Sequence, residues 1–267
     1  MKKSLHIGIN DYPGTRNDLR GCLNDMNGWA DLAECVYGFE TERIANKQAT
    51  RDVFLSKLNH LIDTVREKDD EILITFSGHG TSVPDRDGDE LNGRDEALCL
   101  YDKLVIDDEI YYILKRASDD VHITFIADNC HSGTITRSFI NAIENEETDC
   151  HVRYMPPEDA QEASLLNKLD LSRKFHKRRE EIHMKEVLMT GCLPHEYSYD
   201  ARFRTGFWGA FSYTALNYLN KNPDINYQEL HDHVRKTLPN RQFPQTPQLE
   251  GKPENFKRKF LGGKITR

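Results

Sequence analysis

Glu71-Ile72-Leu73-Ile74-Thr75-Phe76 runs directly into Ser77-Gly78-His79-Gly80, and Val121-His122-Ile123-Thr124-Phe125-Ile126-Ala127 runs directly into Asp128-Asn129-Cys130. Each is a short, continuous apolar run cut off by polar residues or glycine, the mark of a buried strand. Leu5-His6-Ile7-Gly8-Ile9, which breaks at Asn10-Asp11-Tyr12-Pro13-Gly14, is another such run, as is Glu186-Val187-Leu188-Met189-Thr190. Ala97-Leu98-Cys99-Leu100-Tyr101 is a further strand-like piece. Between these runs the apolar residues take helical spacing: from Asn17 to Tyr37 with Gly38 as the stop, from Thr50-Arg51-Asp52 to Val65, and from Asp107-Asp108-Glu109 to Leu114. Two more helices are expected at about 209–219 and 227–238. Strands alternating with helices predict an α/β chain whose mostly parallel sheet carries helices on both faces. Ligands of such sheets bind beyond the carboxyl ends of the strands. His79 and Cys130 each follow such an end, so both are expected on one edge.

The 267 residues are long enough for a single α/β domain with a substantial core. Thirty-six Lys and Arg against forty-four Asp and Glu give a net charge of −8. A negative chain grips phosphate backbones poorly, so no nucleic-acid partner is expected. No apolar run approaches the roughly 18 residues of a membrane-spanning helix, which argues against a membrane partner. Met1-Lys2-Lys3-Ser4-Leu5-His6-Ile7-Gly8 shows no apolar core of a secretory signal, so the expected compartment is the cytoplasm. Cys22, Cys35, Cys99, Cys130, Cys150 and Cys192 include no C-x-x-C pair and no zinc-ligand spacing. In that compartment most are expected to be small buried hydrophobes without disulfides. Residues 138–183 interrupt the alternation. They are dense in charge, contain Pro156-Pro157, and are expected to form a long charged surface insertion in one domain spanning 1–267.

The two strand ends carry the chemistry of a nucleophile and its base. A thiolate is the reactive form of cysteine, and an imidazole beside it can take the thiol proton and later protonate a leaving amine. The N–H groups of Gly80 and Cys130 are suited to hold a developing oxyanion, a contribution of roughly 3 kcal/mol per donor. Gly80 also lets a substrate carbonyl approach the backbone closely. A lone buried His or Cys is more often a core residue than a catalyst; two of them at glycine-flanked strand ends are a stronger signal. His131 adjoins Cys130 and cannot reach the attack side of its thiol, so His79 is preferred as the base. Cys192 and His195, past another strand end, are expected to line the crevice wall, and Phe207 and Trp208 to pack the helix that follows.

Ser77-Gly78-His79-Gly80 and Asp128-Asn129-Cys130-His131-Ser132-Gly133 together resemble the caspase-haemoglobinase clan of cysteine peptidases. The His79-to-Cys130 separation of 51 residues is close to the spacing of about 50 in caspases. The finer resemblance is to metacaspases, including bacterial caspase-family proteins. It also rests on Asn17-Asp18-Leu19-Arg20-Gly21-Cys22-Leu23-Asn24-Asp25 and on Asp87-Gly88-Asp89-Glu90 through Asp95-Glu96. Ile106-Asp107-Asp108-Glu109 and Gln245-Thr246-Pro247-Gln248-Leu249-Glu250-Gly251 complete it.

The resemblance implies a caspase-like three-layer α/β/α sandwich and an endopeptidase with a Cys130/His79 dyad, assisted by Gly80, working through a thioester acyl-enzyme. It implies protein or peptide substrates cut after Arg or Lys, with Asp25, Asp128, Cys22 and Ser77 lining the pocket for that side chain. A buried cation needs carboxylate partners, which suits the two acids. Calcium is the one cofactor the resemblance suggests, with Asp95, Asp107 and Asp108 as hard oxygen ligands; no organic cofactor is expected. Arg137 stands near the position of a further acidic ligand and would weaken such a site. Asp85, Asp87, Asp89 and Glu96 match some EF-hand positions, but Glu90 replaces the central glycine and no helix precedes the loop. A monomer is expected. Arg173, Lys174, Lys177, Arg178 and Arg179 are sequence-compatible sites of self-cleavage. The competing expectation is a caspase-fold regulatory or binding protein with little turnover.

Overall fold

In the strand Glu71–Ser77 (β3) all seven positions are buried, with Ile72, Ile74 and Phe76 entering one apolar core and Leu73 a second. A strand pleats its side chains alternately to two faces, so burial along its whole length requires a layer on each side. The computed structural model, which describes residues 1–84, 94–130, 149–162 and 184–265, supplies both layers. The helices Arg51–Thr64 (α2) and Asp107–Leu114 (α3) send Phe54, Leu58, Leu61, Ile110 and Leu114 into the first core. The helix Cys22–Tyr37 (α1) and two later ones send Trp29, Phe211, Leu216 and Leu230 into the second.

The central sheet adds β1 (Lys2–Gly8), β2 (Glu40–Ala45), β7 (His122–Asp128), β9 (Val187–Thr190) and β12 (Gln248–Glu250) to β3, in the order β12-β9-β7-β3-β1-β2. All its pairings are parallel except that of β12 with β9. This is the expected three-layer α/β/α arrangement. The strand expected near residues 97–101 lies outside that sheet. It is β5 (Arg94–Cys99), which forms a small antiparallel sheet with β4 (Gly80–Pro84) and β6 (Leu104–Ile106).

Helix starts follow local chemistry where a cap is near in sequence. Thr50 caps α2 through its side chain, and Gly38 closes α1 in the left-handed conformation at φ 75°. The first helix begins at Cys22 rather than Asn17, because its cap comes from the loop after β1. The Asn10 side chain accepts from the Cys22 N–H at 2.9 Å.

Within the stretch 138–183, expected as a surface insertion, the described residues 149–162 include a strand and buried side chains. Cys150–Val152 (β8) pairs antiparallel with β10 (Tyr199–Phe203), and a short helix, Pro157–Glu162 (α4), follows. Val152, Arg153, Tyr154 and Met155 are buried. Charge density suggested a solvated face; Arg153 is instead enclosed by carboxylates. Residues 85–93, 131–148 and 163–183 lie outside the described residues, and with them Asp85, Asp87, Asp89, Arg137 and the basic cluster from Arg173 to Arg179.

Candidate active site

The register of β3 against β7 pairs Ser77 with Asp128. His79 and Cys130 each lie two residues beyond that pair, so adjacent parallel strands deliver the imidazole and the thiol to the same edge. A Cβ on Gly80 would fall 2.0 Å from the Cys130 carbonyl oxygen. Glycine there lets the two strand ends meet, a role besides the substrate approach expected of it.

His79 is buried. Its ring lies against Tyr12, with centroids 4.7 Å apart, and its backbone N–H donates to the Tyr12 hydroxyl at 2.8 Å. The ring Nε2 is 2.6 Å from the Asn17 carbonyl. A carbonyl only accepts, so Nε2 carries the proton and Nδ1 of the neutral ring keeps its lone pair. Nδ1 makes no hydrogen bond of ordinary geometry. Burial pulls the imidazole pKa down to about 4; the Asn17 and Arg153 carbonyls favour the charged form, while the Arg153 and His151 charges oppose it. At neutral pH the ring is therefore an uncharged base.

The Cys130 thiol is buried and donates to the Ser198 carbonyl at 3.4 Å, while the Ser198 N–H reaches the sulfur at 2.6 Å. Cys192, expected on the crevice wall, is beside it. Cys130 hydrogen bonding, then burial, pushes the Cys192 thiol well above its ordinary pKa.

Gly80 and Cys130 both donate their backbone N–H to one oxygen, the Arg153 carbonyl, at 3.0 and 3.2 Å. The side chain of the same residue enters a fully buried acidic pocket. Its Nη2 is 2.6 Å from Asp25 Oδ2 and 3.3 Å from Asp200 Oδ2, and its Nη1 is 3.3 Å from Asp128 Oδ2. Burial opposes the guanidinium charge, but Asp25, Cys22, Asp128 and Asp200 more than offset it and hold the group protonated.

The pocket walls are themselves hydrogen-bonded. Asp25 accepts from the Gly209 N–H at 3.0 Å, and Asp128 accepts from the Ser212 N–H and hydroxyl at 3.0 and 2.7 Å. Burial pushes Asp25 up to about 7, with Arg153 pulling it down and Asp128 and Asp200 pushing it up. A Cβ on Gly209 would fall 2.2 Å from Asp128 Oδ2 and 2.6 Å from Arg153 Nη1, so this glycine keeps the pocket open.

Of the expected pocket residues, Asp25, Asp128 and Cys22 meet here; the Cys22 thiol is 3.8 Å from Asp200 Oδ2. Ser77 is buried next to Asp128 in register, and its carbonyl accepts from the Ile9 N–H. Sequence reasoning missed Asp200, the Asn17 carbonyl and Arg153, whereas Ser198 ends the segment expected on the crevice wall. An acid inside the run Tyr197-Ser198-Tyr199-Asp200-Ala201 was the available signal for the first. Gln245 braces this run, donating to the Gly191 carbonyl at 2.8 Å and accepting from the Tyr199 N–H at 3.2 Å. Trp208 packs near Tyr213 of the next helix as expected, whereas the Phe207 ring carries the guanidinium groups of Arg20 and Arg202, each 5.0 Å from its centroid.

For calcium the donors suit the ion in kind. The register pairing Ala97 with Ile106 brings Asp95 to the same end of the β5–β6 hairpin as Asp107 and Asp108. Among the described residues, however, no group of three or more His, Cys, Asp or Glu side chains is placed to hold a metal ion.

A thiol and an imidazole at one sheet edge, with two N–H groups nearby that share the Arg153 carbonyl, are the components of acyl transfer. On this three-layer sandwich they define a cysteine-type endopeptidase. The chain belongs to the caspase-domain family of peptidases, whose profile matches residues 1–256. It is 26% identical to Metacaspase-1 of Meyerozyma guilliermondii over 298 residues, covering 97% of this chain and 72% of that protein. It is 27% identical to Metacaspase-1 of Schizosaccharomyces pombe over 285 residues, covering 93% and 66%. Among solved structures, a protein of Geobacter sulfurreducens superimposes with a TM-score of 0.78 at 25% identity, covering 98% of each chain. Caspase-1 of Spodoptera frugiperda shares the fold, with a TM-score of 0.58 at 13% identity, covering 94% of this chain and 88% of that one. No helix among the described residues is long and apolar enough to cross a membrane.

Proposed function

We propose that this peptidase cuts protein chains on the carboxyl side of arginine or lysine, with Cys130 as nucleophile and His79 as base and then acid. His79 Nδ1 takes the thiol proton, and the sulfur attacks the carbonyl carbon of the residue before the scissile bond. The Gly80 and Cys130 N–H groups hold the oxyanion. His79 returns the proton to the leaving amine, and water hydrolyses the thioester. Asp25, Asp128 and Asp200 bind the cationic side chain, aided by Cys22 and Ser77. The observation that carries this proposal is the buried guanidinium of Arg153 among those three carboxylates, with its carbonyl on the two N–H groups.

The test is a set of fluorogenic peptides differing only at the residue before the cut. Arginine and lysine peptides are expected to be hydrolysed and the aspartate peptide left intact. Cys130→Ala should lower turnover at least roughly 10³-fold. Cleavage after aspartate instead would overturn the specificity. Turnover no greater than that of Cys130→Ala would favour a caspase-fold binding protein, a reading to which the filled pocket also lends support. Calcium activation belongs to the same proposal, as do a monomeric state and a cytoplasmic location. The peptide assay repeated across a calcium titration, with a chelator as the zero point, checks the first of these.

A further inference from the structure

Cys192 lies beside the nucleophile, and peptide hydrolysis gives its thiol no task. Adjacent parallel strands bring the two cysteines there. β7 and β9 pair Ala127 with Thr190, and the Gly191 N–H donates to the Ala127 carbonyl at 3.1 Å, so the ladder continues to the ends of both strands. Cys130 and Cys192 follow three and two residues beyond that pair, and both enter the same apolar core as free thiols. The Cys192 sulfur is 3.7 Å from the carbonyl of Asn129, the residue just before the nucleophile, and hydrogen bonding with the Cys130 thiol is the first influence on its proton. Neighbouring strands are about 4.8 Å apart, inside the Cα separation of roughly 4.4–6.8 Å that a disulfide spans. A small solute has a route to the pair, because Cys192 lines a cleft of about 330 Å³ together with Ala127, Leu188, Thr190 and Pro194.

We propose that hydrogen peroxide joins Cys130 to Cys192 in a reversible disulfide, which takes the nucleophile out of use and protects it from irreversible oxidation. The inference rests on the reading of Cys130 as nucleophile and His79 as its base. His79 Nδ1 takes the Cys130 proton, and the thiolate attacks one peroxide oxygen. The O–O bond breaks: one oxygen stays on the sulfur as a sulfenic acid, and the other leaves as water with the proton from His79. The Cys192 sulfur then displaces the hydroxyl from Cys130, and its own proton leaves with that hydroxyl as a second water. Two thiols are thus oxidised to one disulfide while one peroxide is reduced to two waters. A dithiol restores both thiols by exchange and is itself oxidised. Cys192 suits the second step alone. The neighbouring thiol and burial hold its proton firmly, so it does not compete with Cys130 for the peroxide. Without Cys192 the sulfenic acid meets more peroxide and takes up further oxygens that no dithiol removes.

The reduced full chain is treated with excess hydrogen peroxide and followed by intact mass and peptide mapping, alongside hydrolysis of an arginine peptide before and after a dithiol is added. The wild type is expected to lose two hydrogens and to yield a peptide linked through Cys130 and Cys192. Its turnover should fall to that of Cys130→Ala and return with the dithiol. Cys192→Ser and Cys192→Ala, each checked for folding by circular dichroism, should instead gain two or three oxygens on Cys130. The dithiol should restore less than roughly a tenth of their own untreated rates. A wild type whose Cys130 takes up those oxygens without forming the link overturns the inference, as does a link from Cys130 to any other cysteine. So does full recovery of both Cys192 variants in the dithiol. In each of these cases hydrolysis by the reduced enzyme leaves the peptidase proposal standing. If the reduced enzyme hydrolyses no peptide, the peptidase proposal fails, and the linked peptide by its presence supports the thiol pairing or by its absence overturns it.

Discussion

Asp200 completes the acidic pocket, and its partners explain why it is there. Besides Arg153, its Oδ2 accepts from the Gly21 N–H at 2.8 Å, so one carboxylate ties the acidic pocket to the start of α1. Replacing it with Asn removes the charge and retains most of the shape. A hydrogen bond to a charged group is worth about 1.5–3 kcal/mol, so Asp200→Asn should lower kcat/KM for an arginine peptide roughly ten- to hundredfold. Steady-state kinetics on arginine and uncharged peptides side by side checks this, because only the arginine peptide should suffer. His79 and Cys130 were legible in the sequence because strand, polar break and reactive side chain are contiguous there. Asp200 and Arg153 were not, because each acquires its role from groups far along the chain. An isolated Arg in a charged stretch is most simply a surface residue, and only the three carboxylates around it make it a buried one.

At the level of elements, the same distinction separates what the sequence showed from what it did not. The α2 helix follows from Thr50 and the apolar spacing beyond it. The core strands β3 and β7 follow from unbroken apolar runs, since a run of that length must be covered on both faces. The start of α1 did not follow, because its cap is Asn10, twelve residues upstream, and β8 did not, because three residues gain strand character only by pairing with β10. Loss of a capping side chain costs helices about 1 kcal/mol. Asn10→Ala should therefore lower stability in urea by about that amount. Because α1 also carries Cys22 and Asp25 into the pocket, the variant should raise KM for arginine peptides more than it lowers kcat. A change in stability with unaltered KM would mean that the first turn of α1 holds its position without this cap.

Over the whole molecule, the buried ionisable groups set how stability responds to acid. His6 lies on β1, between β2 and β3, fully buried, with its ring nitrogens 2.9 Å from the Thr75 hydroxyl and 2.8 Å from the Ser4 hydroxyl. Burial, followed by the nearby Arg43 charge, pulls it down to about 3. The unfolded chain protonates this residue below about 6.5, whereas the folded chain keeps it neutral. Its contribution is therefore complete above pH 6.5 and is lost as pH falls from there toward 3. Between pH 7.5 and 5 that loss is about 2 kcal/mol, because the native ring stays neutral throughout the interval. His79, at about 4, acts in the same direction. Asp25 and Glu71, both pushed to about 7 chiefly by burial, act in the opposite one, since the folded chain takes up their protons first. Total stability consequently mixes both signs, but a single substitution isolates one contribution. His6→Gln should be less stable than the wild type at pH 7.5, and the gap between the two should narrow by about 2 kcal/mol at pH 5. Urea midpoints of both proteins at the two pH values measure it; a gap that stays constant would mean that His6 takes up its proton in the native sheet as readily as in the unfolded chain.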